Sequence, residues 1–159
     1  MLISDVHAQA LQLLNSDTSD YPAEKLMPYT NDGINYINNL RIGAKDPEVV
    51  KQVTITTDIQ KPSDFCSFVP PNSSYPLNAF GSTISRQPGA PPIVVFKYST
   101  KVSRVSSAGD TFPLPDEYLG YVAQYIDIRL KEDNGNVDVT QLMNILANDT
   151  NAFIKAKGG

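Results

Sequence analysis

Residues 112–130 read "FPLPDEYLGYVAQYIDIRL", and the way this stretch is parsed decides the fold. Pro113 and Pro115 hold the incoming chain extended, because a residue preceding proline is pushed out of the helical region. Asp116 and Glu117 then favour the positive end of a helix. Beyond them Leu119, Val122, Ala123, Ile126 and Leu130 recur at three-four spacing, the buried stripe of a helix over about 116–131. Tyr118, Tyr121 and Tyr125 fall on a neighbouring face, with Arg129 near the end.

Working outward toward the C-terminus, "KEDNGN" is a polar turn. "VDVTQL" (137–142) reads as a capped start, with Asp138 as the cap, Gln141 closing the box and Val137 packing on Leu142. The last helix, about 138–155, carries Val139, Leu142, Met143, Leu146, Phe153 and Ile154, and "KAKGG" frays as a basic tail.

Toward the N-terminus the period of the apolar residues changes to two. "VKQVTITTDI" (50–59) places Val53 and Ile55 on one side of a strand and Thr54 and Thr56 on the other. Further short strands are expected at 65–69, 92–100 and 101–105. Between them "PPNSSYPLNAFGSTISRQPGAPP" (70–92) reads as a long loop or extended hairpin arm carrying Tyr75 and Phe80. Such a length is functional or disordered in a compact domain.

Two helices precede this β-rich insert. Residues 4–15 set Val6, Ala10, Leu13 and Leu14 on one face, with Ser4 or Asp5 as the cap. Residues 22–41 repeat Leu26, Thr30, Gly33, Ile37 and Leu40, widened by Met27, Ile34 and Tyr36. Pro22 suits a first turn, and Pro28 either bends the helix within its first two turns or marks a later start. The expected fold class is α+β, mainly α: a small four-helix bundle with a β-rich insert of about 50–110 between helices two and three, all in one domain over 1–159.

Composition narrows the function. The 159 residues suit one domain, and 12 prolines imply much extended chain. The formal charge of −4 provides no basic stripe for holding nucleic acid, though it permits a passage through which DNA slides without sticking. The first residues show neither a basic leader nor a continuous apolar run, so no membrane association is expected. Asn72 and Asn148 stand in chance sequons.

Catalytic equipment is sparse. His7 is the sole histidine and Cys66 the sole cysteine; neither sits in a recognisable triad or metal-ligand spacing, and Cys66 in "DFCSFV" alternates as a buried strand residue would. The carboxylate pairs Asp116/Glu117 and Glu132/Asp133 are adjacent in sequence and point apart on a helix. No G-x-x-x-x-G-K-[ST] occurs. No enzyme, cofactor or metal is expected. Tyr118, Tyr121, Tyr125 and Arg129 admit two readings, the anchors of a protein interface or the edge of the core with hydroxyls reaching solvent.

Two stretches, "YPAEKLMPYTNDGINYINNLR" (21–41) and "TFPLPDEYLGYVAQYIDIRLKEDN" (111–134), resemble the two main helices of tailed-bacteriophage head-to-tail adaptor proteins, also called head completion or neck proteins. The matching positions are Pro22, Glu24, Leu26, Tyr29, Asn31 and Gly33, then Leu114, Pro115, Asp116, Tyr118, Tyr125 and Arg129. Pro28 and the length of the β insert depart from the family pattern. The resemblance implies a non-enzymatic virion protein, made in the host cytoplasm, that forms a ring, usually a dodecamer, beneath the portal. Such a ring extends the DNA channel without binding DNA specifically and meets the tail or the next neck protein. Candidate subunit contacts are then Tyr118, Tyr121, Tyr125, Arg129, Tyr75 and Phe80. By position, the C-terminal residues Phe153, Ile154, Lys155 and Lys157 would meet the portal. The competing expectation is a small β-containing module of a phage tail or cell surface that binds protein or glycan through the Pro/Tyr loop.

Overall fold

The computed structural model describes residues 1–135 and 138–158. The chain is mixed α and β, with four α-helices and two small antiparallel sheets among the described residues. It divides into two compact units: Met1–Ala44 with Val102–Gly159, and Lys45–Lys101.

The helical unit contains α1 (Ile3–Leu14), α2 (Ala23–Gly43), a 3-10 turn at Asp116–Tyr118, α3 (Leu119–Asp133) and α4 (Val139–Gly158). α3 packs against each of the other three helices. Its buried set is Leu119, Val122, Ala123, Tyr125, Ile126, Asp127, Ile128 and Leu130, wider than the stripe read from the sequence. A helix buried nearly all round is a central one, and Tyr125 is drawn inside with it. Around it the core collects Ile3, Val6, Ala10, Leu26, Ile34, Ile37, Phe112 and Leu114. In α1 the buried place expected of Leu13 belongs to Leu11, 4% exposed, whereas Leu13 is 43% exposed.

Helix ends follow local chemistry. At α1 the cap is Leu2 rather than Ser4 or Asp5. Asp5 instead reaches back to accept the Leu2 N–H at 2.7 Å, and the next free donors, Ile3 and Ser4 N–H, give to the carbonyls of Asp110 and Ala108 at 2.9 Å each. Asp138 accepts the Thr140 N–H at 3.0 Å, the bond that an N-cap makes to the second helical residue. The expected packing of Val137 lies outside the described residues. α4 buries Leu146, Thr150 and Ile154, one residue per turn, and Thr150 satisfies its hydroxyl on the Leu146 carbonyl at 2.7 Å.

The β unit has a sheet of β1 (Val50–Ile55), β6 (Val94–Thr100) and β3 (Phe65–Phe68), with β6 central and both pairings antiparallel. Val53 faces Phe96 and Ile55 faces Val94. The second sheet is β2 (Ile59–Gln60), β5 (Thr83–Arg86) and β4 (Leu77–Asn78) in that order. The core is Ile55, Phe65, Leu77, Ile84, Val94, Phe96 and Tyr98, with the Phe65 and Tyr98 rings stacked at 5.4 Å.

The 70–92 segment takes the hairpin alternative: β4 and β5 pair within it, Leu77 opposite Arg86. Two sequence expectations are corrected here. Residues 101–105 form no strand; Val105 pairs with a side chain rather than with a ladder, as described below. Cys66 is exposed. A bulge between Phe65 and Ser67 shifts the register of β3, so Phe65 and Phe68 both pack toward the aromatic core although three residues apart, and Cys66 is left outside.

Candidate interaction surface

The residues nominated from sequence separate into a buried set and an exposed set. Tyr118 is 0% exposed. The Arg41 guanidinium lies 4.5 Å from its ring centroid, the Phe153 ring meets it edge-on at 5.4 Å, and the Lys157 ammonium stands 5.7 Å away. Tyr125, 6% exposed, packs on Tyr36 at 5.2 Å and accepts the Arg129 Nε–H on its hydroxyl at 3.2 Å. Tyr118 and Tyr125 are therefore buried in the helical unit, and Tyr118, with no exposed area, lacks even the solvent-reaching hydroxyl of the core-edge reading.

Tyr121 and Arg129 stay partly exposed. Tyr121 stacks at 5.7 Å on Phe153. Arg129 gives a second bond to Glu132 at 2.6 Å, and these two partners hold its guanidinium well above the ordinary range. The C-terminal nominees also divide. Ile154 is buried, Phe153 is half-buried in the tyrosine cluster, and Lys155 is exposed. Lys157 bridges to Glu117 at 2.6 Å, which keeps the Glu117 carboxyl below its usual range. The last turns of α4 are thus fastened to the start of α3 by an aromatic contact and an ion pair.

In the β unit Tyr75 and Phe80 behave oppositely. Tyr75 is half-buried; its hydroxyl donates to the Val69 carbonyl at 2.8 Å and accepts the Lys97 N–H at 3.1 Å. Phe80 is 79% exposed. It sits in the β4–β5 connection, where the Thr83 N–H closes a turn on the Phe80 carbonyl at 3.3 Å and Gly81 takes a φ of +59°, a conformation that costs glycine little. Ile93 and Val95 are 61% and 47% exposed, and Val95 alternates with inward Val94 and Phe96 along β6. Three large apolar side chains of this one unit are therefore uncovered.

Sequence reasoning missed the buried polar residues. Arg41 is 2% exposed, and Asn31, Asn38 and Asp127 are each under 9%. Asn31 donates to the Val105 carbonyl at 3.0 Å and accepts the Val105 N–H at 3.0 Å, so one amide replaces a strand partner for the 101–105 segment. Nothing in the one-dimensional pattern marks these residues, because they lie among apolar positions on the same helical turns.

The reactive residues are held in quiet settings. Thr30 Oγ1 donates to the Leu26 carbonyl at 2.8 Å, so its contact with His7 Nε2 at 2.9 Å is donated by the imidazole, which is the Nε2–H tautomer when neutral. Burial lowers the His7 pKa. Among the described residues no group of three or more His, Cys, Asp or Glu could hold a metal ion. No helix among them is long and apolar enough to cross a membrane. No protein-family model matches the chain, and no curated protein sequence matches it.

Proposed function

We propose that the chain is a structural virion protein, without enzymatic activity, that forms a ring between the portal and the tail or next neck protein of a tailed phage and extends its DNA channel. In this reading the helical unit is a small four-helix bundle and the β unit is its insert. The observation that carries it is the uncovered apolar set of the β unit, Phe80, Ile93 and Val95. Ring closure needs one face of a subunit to meet a different face of the next, and large apolar side chains left in water suit such a face. The order of elements agrees with the adaptor resemblance, and the net charge of −4 suits a channel wall that DNA passes without adhering. Negative-stain electron microscopy of the chain mixed with the portal protein of the same genome tests the reading. Rings seated on portals are expected; free portals and dispersed chain at every ratio would overturn it.

The division of the chain into two compact units favours a second reading, a protein- or glycan-binding module. That reading requires residues 45–101 to fold alone. A cooperative thermal transition of the excised segment would support it, and an unfolded fragment would remove it.

A further inference from the structure

The helical unit contains an open cleft that the ring reading does not use. Its volume is about 600 Å³, within the range of small-ligand sites. Leu14 and Leu130 give it an apolar lining, and Asp20, Tyr21, Lys25 and Asp133 give it polar walls.

Much of the polar lining is already paired. Asn134 donates to the Tyr21 hydroxyl at 3.1 Å, Tyr29 donates to Asp133 Oδ2, and Ser16 donates to Asp20 Oδ2 at 3.1 Å. The second carboxylate oxygens of Asp20 and Asp133, both exposed side chains, have no partner among the described residues. Lys25 is the only cation among the described residues of the lining, so the two carboxylates leave the cleft with a net negative charge. A cation is suited, and the chain supplies its own example. The Lys25 ammonium stands 5.5 Å from the Tyr21 ring centroid and 3.4 Å from the Asp20 carbonyl oxygen, so an alkylammonium already rests on this wall.

We propose that the cleft binds a primary alkylammonium group, its N–H donors on the Asp133 and Asp20 carboxylates and its methylene stem against Leu14 and Leu130. Lys25 acts as a built-in competitor for the same wall. The group can come from a free amine or from a lysine side chain, and the two sources present the same chemistry to the cleft.

The test is a heteronuclear NMR titration of the full chain with n-butylammonium chloride at fixed ionic strength, with n-butanol as the neutral isostere and Nα-acetyl-lysine amide as the side-chain probe. Saturable shifts at Leu14, Tyr21, Leu130 and Asn134 are expected with butylammonium. If acetyl-lysine amide also saturates there, the source includes lysine side chains; if it does not, the ligand is a free amine. Lys25→Gln should tighten binding by about threefold or more, and Asp133→Asn should weaken it by about tenfold. Because Asp133 also holds Tyr29, Asp20→Asn is run in parallel, with far-UV circular dichroism confirming an unchanged fold. Equal shifts with butanol, non-saturating shifts spread over all acidic residues, or unaltered binding in both aspartate variants would overturn the proposal.

Discussion

The side-chain amide of Asn31 pairs with both backbone groups of Val105, its Nδ2 on the carbonyl and its Oδ1 on the N–H, each at 3.0 Å. Asn31 also donates to the Met27 carbonyl at 3.1 Å, so α2 and the extended run leading to α3 share one buried polar residue. Asn31→Leu would leave the Val105 N–H and carbonyl unpaired in the interior. A destabilisation of about 2–4 kcal/mol is expected, the cost of stranding two buried groups, measured by chemical denaturation. Asn31→Asp should also destabilise, since a carboxylate can accept the N–H but repels the carbonyl.

At Gly33, α2 lies close against α3. A Cβ at this position would lie 3.0 Å from Tyr125 Cδ1 and 3.2 Å from Val122 Cγ1. The Tyr125 ring is fixed by Tyr36 and Arg129, so it cannot yield freely. Gly33→Ala gains helix propensity of up to about 1 kcal/mol but incurs about 1–3 kcal/mol of overpacking. A net loss of about 1 kcal/mol in the unfolding free energy is the expected result.

Two groups predict how stability falls with acid. Burial lowers the folded pKa of His7 below its ordinary 6.5, so the unfolded chain binds the extra proton first. Its contribution is complete above pH 6.5 and declines as pH falls from there through the folded value. Asp110 lies lower. Backbone N–H donors from Ser106 and Ser107, aided by the Ser107 hydroxyl, hold it at about 2. Its contribution is complete above the ordinary carboxylate range and is lost as pH falls toward 2. Thermal melts between pH 7 and 2 should show both declines, with His7→Gln flattening the first and Asp110→Asn the second.

Phe80 separates assembly from stability. At 79% exposure its removal should change the unfolding free energy by no more than about 0.5 kcal/mol. In the ring reading Phe80→Ser should reduce ring occupancy on portals seen by electron microscopy. Tyr118→Ala should instead lower the melting temperature, since Tyr118 is fully buried under Arg41 and Phe153.

The helices were legible because three-four spacing survives in the sequence wherever one face is buried, as with Leu119, Val122, Ala123 and Ile126. The burial of Tyr118 and Tyr125 was not, because it follows from α3 having neighbours on several sides, which no single-helix pattern encodes. A hairpin was one of two readings of 70–92, but its strands are so short and so flanked by prolines that their bounds did not show. Residues 101–105 alternate like a strand yet pair with a side chain, and the inversion at Cys66 arises from a bulge with no residue signature of its own. Of the interface candidates, Phe80 in the β unit is exposed and Tyr121 in the helical unit is partly exposed, whereas Tyr118 and Tyr125 are buried in helix packing.

The caps of α1 bear on how the chain is made. α1 precedes the residues that finish it, since the carbonyls that receive its leading N–H groups belong to Ala108 and Asp110. A 12-residue helix is marginal in water by itself, so α1 must wait, unfinished, while the β unit is synthesised and free to form. α3 then covers α1, and a truncated product ending before residue 108 would leave the apolar face of α1 open to the cell's degradation machinery.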